Sequence, residues 1–238
     1  MDYEGLREKY LQELAKRVPA SYIVDNFAKN VARQELTRFL FRHEIFKKIV
    51  NLKGCIVECG VFSGQGLMSW AQLSAIMEPI GFQRRIYGFD TFEGFPQVHE
   101  KDLAGAKSFP KHVGDIKDES YDDLLRSIEL FDMNRYISHV PKVFLIKGDF
   151  MVTAEKFLHD NPHTLISLLY LDFDLYEPTK RALELFVPRM PKGSIIGFDE
   201  INNQYWPGET LALLESFNLR EIRIEKLPYE PHMSYVVL

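Results

Sequence analysis

The chain has 238 residues, 46% of them apolar, and a formal net charge of −5. That is enough for one α/β domain with a full hydrophobic core plus a small helical extension, and it excludes wholesale disorder. Acidic and basic residues are mixed along the chain, so the clustered basic face that nucleic-acid binding requires is missing, and no apolar run nears the roughly 20 residues of a membrane helix. An anionic substrate stays open, because a site can be locally basic within an acidic protein. The only cysteines, Cys55 and Cys59, sit four apart in one apolar run. On a strand they point to the same face too far apart to bridge, so they read as buried free thiols of a cytoplasmic protein.

Residues 1–50 read as an N-terminal helical cap. Charged and apolar residues alternate at helical spacing over 3–18, and 33–50 continues the pattern with Leu36, Phe39, Leu40 and Ile45. The cap is also a candidate dimerisation element, and a homo-oligomer is expected. From residue 51 to 238 the rhythm changes. Short apolar runs at 55–58, 85–90, 143–147, 165–172 and 194–198 alternate with helical patterns at 66–78, 151–159, 179–187 and 209–217. This argues for an α/β fold with a doubly wound, mostly parallel sheet and helices on both faces. Two further strand candidates, 221–226 and 234–238, have hairpin-like spacing through Pro228 and Pro231 and would add an antiparallel edge. About fifty residues separate the second and third runs. They hold a polar stretch, 96–118, and then a helix over 119–131. A loop this long within a compact domain is usually functional or mobile, so 96–118 reads either as a lid over the site or as a surface insertion.

In open α/β sheets, ligands bind beyond the carboxyl ends of the strands, so what each strand ends with matters most. The first ends Val57-Glu58-Cys59-Gly60-Val61-Phe62-Ser63-Gly64-Gln65-Gly66. The glycines allow a tight turn and close approach of a ligand, but their spacing is not the Gly-x-Gly-x-x-Gly of a dinucleotide site. Glu58 would repel a pyrophosphate and welcome a cation. S-adenosylmethionine, with an ammonium, a sulfonium and no phosphate, fits that requirement. The second strand ends Gly88-Phe89-Asp90-Thr91-Phe92-Glu93-Gly94, where Asp90 is placed either to accept from ribose hydroxyls or to cap a helix. The third ends Gly148-Asp149-Phe150, where Asp149 either meets the adenine amino group or caps the next helix. The candidate cofactor contacts are therefore Glu58, Gly60, Ser63, Gly64, Asp90, Thr91 and Asp149.

The fourth strand ends Tyr170-Leu171-Asp172-Phe173-Asp174-Leu175-Tyr176 and the fifth ends Phe198-Asp199-Glu200. If the two strands are neighbours, up to four carboxylates meet at one place. Such a concentration of like charge calls for a cation, and clustered carboxylate oxygens suit a hard divalent ion such as Mg²⁺. The plainer alternative is that some of these acids cap the helices that follow. Tyr176, Tyr205 and Trp206 are candidates to line an acceptor pocket or to sit in the core.

Four segments together resemble the macrocin-type family of S-adenosylmethionine-dependent sugar O-methyltransferases. They are Val57 to Gly64, Phe89-Asp90-Thr91-Phe92-Glu93-Gly94-Phe95-Pro96, Leu171 to Tyr176 with Pro178-Thr179, and Phe198-Asp199-Glu200. The resemblance implies a class I methyltransferase, Rossmann-like fold. It implies Mg²⁺ held by Asp172, Asp199 and Glu200, with Asp174 as general base, and Glu200 stands where the family usually has a second Asp. It also implies a sugar or nucleotide-sugar acceptor, in natural-product or polysaccharide biosynthesis. In the more distantly similar catechol-type enzymes a lysine base follows the first metal Asp by three residues. Here that position is Leu175, which favours Asp174 as base and disfavours a catechol. A methyltransferase of another small-molecule diol, a metal-dependent hydrolase on the same carboxylates and a non-catalytic scaffold are the competing readings. No Gly-x-Ser-x-Gly elbow or Cys–His pair offers a nucleophile.

Overall fold

The computed structural model describes residues 20–105 and 108–238. The helical pattern at 3–18 lies outside them. Three helices lead in: α1 (Ala20–Asp25), α2 (Phe27–Asn30) and the long α3 (Arg33–Ile49). Then come β1 (Cys55–Cys59), α4 (Gln65–Met77), β2 (Ile86–Asp90), a 3₁₀ turn (Glu100–Leu103), α5 (Tyr121–Met133), β3 (Val143–Lys147) and α6 (Phe150–Asp160). The second half runs β4 (Ile166–Leu171), α7 (Tyr176–Phe186), β5 (Ile195–Phe198), α8 (Gly208–Ser216), β6 (Ile224–Lys226) and β7 (Ser234–Val237). Among the described residues no helix is long and apolar enough to cross a membrane.

The sheet has seven strands in the order β3-β2-β1-β4-β5-β7-β6. The first five in space are parallel. The expected antiparallel edge takes a particular form: β7 slots between β5 and β6 and runs antiparallel to both, with Ile196 opposite Val236 and Glu225 opposite Tyr235. The central strands β1 and β4 are buried along their whole length, which is why they read as unbroken apolar runs rather than alternating ones.

The two faces of the sheet carry separate cores. On one side Ile56, Tyr170 and Ile195 pack under α3, α4 and α5 through Phe41, Ile45, Trp70, Leu67 and Ile128. On the other, Val57, Cys59, Phe89 and Phe198 pack under α6, α7 and α8 through Phe150, Phe157, Phe186 and Leu213. Strand alternation decides which residue goes where. The free, buried Cys55 and Cys59 share the second face. Glu58, two residues from Ile56, is sent to the first.

Helix α7 begins at Tyr176, three residues before the helical pattern read at 179–187, so Pro178 sits in its first turn. Proline is tolerated there because first-turn N–H groups have no helical acceptor. The stretch 96–118 is tied to the body by buried polar contacts. Asp102 accepts from the backbone N–H of Tyr176 at 2.6 Å and of His99 at 2.9 Å. Lys111 donates to four oxygens: the carbonyls of Asp102, Phe109 and Tyr205, and Ser108 Oγ.

Candidate active site

The carboxyl ends of β1 to β4 open into a cavity of about 230 Å³. Gly60, Asp90, Thr91, Gly148 and Asp149 line one end, and Asp172, Phe173 and Asp174 the other. Phe95, with Pro96 and Ile116 of the 96–118 stretch, also lines it, as does Arg38 of α3. Gly60 has φ +85°, and a Cβ there would lie 1.9 Å from the carbonyl oxygen of Asp172. Only glycine lets the β1 turn touch the end of β4, so this residue joins the two halves of the cavity floor.

The acids at the β2 and β3 ends do local work as well as facing the cavity. One Asp90 oxygen accepts from the N–H groups of Val61 (2.7 Å) and Phe62 (2.8 Å), and the other from Phe92 N–H at 2.7 Å. This carboxylate therefore shapes the glycine turn that follows β1. Thr91 Oγ1 donates to the carbonyl of Gly94 at 2.7 Å. Asp149 caps α6, accepting from Met151 N–H at 2.9 Å, and lines the cavity too.

Glu58 is buried under α4, where its Oε2 accepts from Trp70 Nε1 at 2.5 Å, and a Cβ on Gly66 would lie 2.4 Å from its Oε1. It shares the face of Ile56 and is not among the residues lining the cavity. Ser63 is exposed and Gly64 (φ +88°) packs on Leu124. Neither lines the cavity.

At the ends of β4 and β5, Asp172, Asp174, Asp199 and Glu200 come together, joined by Glu209 from the first turn of α8. Glu209 accepts from the N–H of Asp174 (3.3 Å) with one oxygen and from that of Glu200 (3.1 Å) with the other. Asp174 is held at φ +60°, a conformation non-glycine residues seldom adopt outside functional sites. Burial, then repulsion from neighbouring carboxylates, pushes Asp172, Asp174 and Glu209 well above the usual carboxylate range and raises Glu200. Asp199 Oδ1 accepts from the buried Tyr170 hydroxyl at 2.8 Å, and its Oδ2 lies 3.4 Å from Arg38 Nη2. Glu200 also accepts from Asn203 Nδ2.

The donor chemistry of this cluster suits a hard divalent cation. In the conformation described, Asp199 is engaged by Tyr170 and Arg38, and among the described residues no group of three or more His, Cys, Asp or Glu is arranged to hold a metal. The sequence reading missed Arg38, Tyr170 and Glu209. Arg38 and Arg42 carried a signal, being bases one turn apart on the apolar face of α3. Glu209 carried only the hint of an acid in a first turn beside Pro207 and Gly208.

An open parallel sheet with one antiparallel strand inserted near its end, a glycine turn after β1 and a cavity across β1 to β4 defines a class I methyltransferase fold. A family model described as a methyltransferase domain matches residues 57–201. Two solved structures are similar over the whole chain. One, of CalS11, a calicheamicin methyltransferase, is 33% identical with a TM-score of 0.89, covering 100% of this chain and 93% of that one. The other, apo CalS11, described as a TDP-rhamnose 3'-O-methyltransferase, is 31% identical with a TM-score of 0.82, covering 100% and 95%. The O-methyltransferase NovP shares the fold at 20% identity and a TM-score of 0.65, over 85% of this chain and 79% of its own. No curated protein sequence matches this chain. The chain belongs to the methyltransferase family and is an S-adenosylmethionine-dependent O-methyltransferase.

Proposed function

We propose that the protein methylates a hydroxyl of a sugar, with a nucleotide-linked deoxysugar as the first acceptor to test, and that it uses Mg²⁺ held by Asp172, Asp199 and Glu200. The observation that carries the acceptor class is full-length similarity, at 31% identity, to a structure described as a TDP-rhamnose 3'-O-methyltransferase. The cofactor supplies a methyl group activated on a sulfonium. The acceptor oxygen forms a bond to that carbon as the carbon–sulfur bond breaks, sulfur keeps the electron pair, and S-adenosylhomocysteine leaves.

The chain's own residues have three tasks. Asp90, Thr91 and Asp149 border the adenosine end of the cavity, at the β2 and β3 ends where ribose and base bind in such sheets. Asp174 takes the hydroxyl proton. It lines the cavity beside Asp172, where a carboxylate can reach a bound hydroxyl. The cluster's negative charge favours the divalent cation, which supplies orientation and acidity to a bound hydroxyl. The stretch 96–118 acts as the lid, and the helices within 20–50 act as a cap on domain 51–238.

The test is methyl transfer from S-adenosylmethionine to TDP-rhamnose and related deoxysugar nucleotides, followed by mass spectrometry. Transfer should need Mg²⁺ and stop on chelation. Asp174→Asn should still bind S-adenosylhomocysteine while turnover falls about 100- to 10,000-fold. Transfer that persists in chelator removes the metal from the mechanism. A folded, cofactor-binding enzyme that ignores sugars but accepts another diol overturns the acceptor class.

A further inference from the structure

Glu58 is buried against Trp70 outside the cavity lining, and the cavity itself offers a charged partner for the amino-acid end of the cofactor. Arg38 is the sole base among the residues lining it. Its side chain is 31% exposed, and among the described residues its hydrogen bond is the long 3.4 Å contact to Asp199. A guanidinium carries five N–H donors in a planar fork, so one long contact leaves donor capacity for a ligand in the cavity that Arg38 lines. Lys111, another nearby cation, is already held by four oxygens, and Arg42 is buried over the Tyr170 ring.

We infer that Arg38 receives the α-carboxylate of the cofactor's methionine and makes the site selective for cofactors that carry one. This inference rests on the methyltransferase reading and adds a residue to it. The adenosine end is bounded by Asp90, Thr91 and Asp149, so the methionine points toward Gly60, Asp172 and Arg38. An amino acid holds its ammonium and carboxylate on one carbon, and therefore needs an acidic and a basic partner side by side. Asp172 and Arg38 both line the cavity and supply one of each. The fork matches a carboxylate in a two-bond geometry that Asp199, reached by one nitrogen at 3.4 Å, does not use. Helix α3, from outside the sheet domain, thereby completes the cofactor site.

The experiment is calorimetric titration, in chelator so that no metal intervenes, with S-adenosylhomocysteine and with its decarboxylated analogue. Wild type should prefer the intact compound by on the order of 10- to 100-fold, the scale of a charge-assisted hydrogen-bond pair. Arg38→Gln should bring the intact compound down to the affinity of the analogue and leave the analogue's affinity unchanged. Arg38→Lys should fall between. Equal affinities in wild type overturn the inference without any variant being needed. So does a parallel loss of both compounds in Arg38→Gln, which marks a structural role. Unchanged S-adenosylhomocysteine affinity with a raised acceptor KM assigns Arg38 to an anion of the acceptor instead. Wild type that binds neither compound strikes the methyltransferase reading itself.

Discussion

Glu58 shows how one strand position can be chemically suggestive and structurally committed elsewhere. Its carboxyl is pushed up to about 7 from an ordinary 4.5, chiefly by burial, with Arg42 and the Trp70 hydrogen bond pulling the other way. The folded form therefore holds the proton more tightly than the unfolded chain. The stability this gives is complete below pH 4.5 and lost as pH rises through 7, a difference of about 3 kcal/mol. Glu58→Gln mimics the protonated side chain and can still accept from Trp70. In urea unfolding it should match wild type near pH 4.5 and exceed it by about 2–3 kcal/mol at pH 8. A constant difference across that range would show that Glu58 does not titrate with folding. Its place was readable in principle. A strand sends alternate residues to opposite faces, so Glu58 goes where Ile56 goes.

At the scale of elements, the insertion between β2 and α5 is anchored through Asp102, with Lys101 and Lys111 adding contacts to Tyr176, Glu215 and Tyr205. Asp102 joins the start of α7, through Tyr176 N–H, to the loop it sits in, and its carbonyl holds Lys111. Gly208 at the start of α8 is pressed against the same carboxylate, where a Cβ would lie 2.4 Å from Asp102 Oδ1. Asp102→Ala removes the acceptor for a buried N–H and should cost about 1–3 kcal/mol. Amide exchange over 96–118 should quicken in this variant while β1 and β4 stay protected. In the wild type a lid should exchange more slowly with S-adenosylhomocysteine and acceptor both bound than without them. Equal protection in both states would reduce 96–118 to a surface insertion. The length and polarity of this stretch were plain in the sequence, but its anchor was not. Asp102 meets Tyr176 across 74 residues, and a contact of that range leaves no local pattern.

At the scale of the whole molecule, local chemistry made the architecture legible: buried apolar runs alternating with amphipathic helices, and acids wherever a strand ended. What stayed hidden was non-local. Arg38 pairs with Asp199 across 161 residues, and β7 is inserted beside β5 by pairing that no turn signal announces. The same non-locality lets the cluster gather Asp172, Asp174, Asp199, Glu200 and Glu209 from three elements, with Arg38 as the facing cation. Assembling it works against folding, because burial and mutual repulsion both disfavour the charged forms. Removing one charge should therefore stabilise the empty protein, as expected where function is held at a cost to stability. Asp172→Asn should raise the melting temperature in chelator. A cation that binds only the folded state stabilises it by RT ln(1 + [L]/Kd), about 2.7 kcal/mol at a hundredfold excess over Kd. Millimolar Mg²⁺ should accordingly raise the melting temperature of wild type and leave that of Asp172→Asn nearly unmoved. If Mg²⁺ shifts both proteins equally, the ion acts through general surface screening, and the carboxylates serve the turns and helix ends around them rather than a metal.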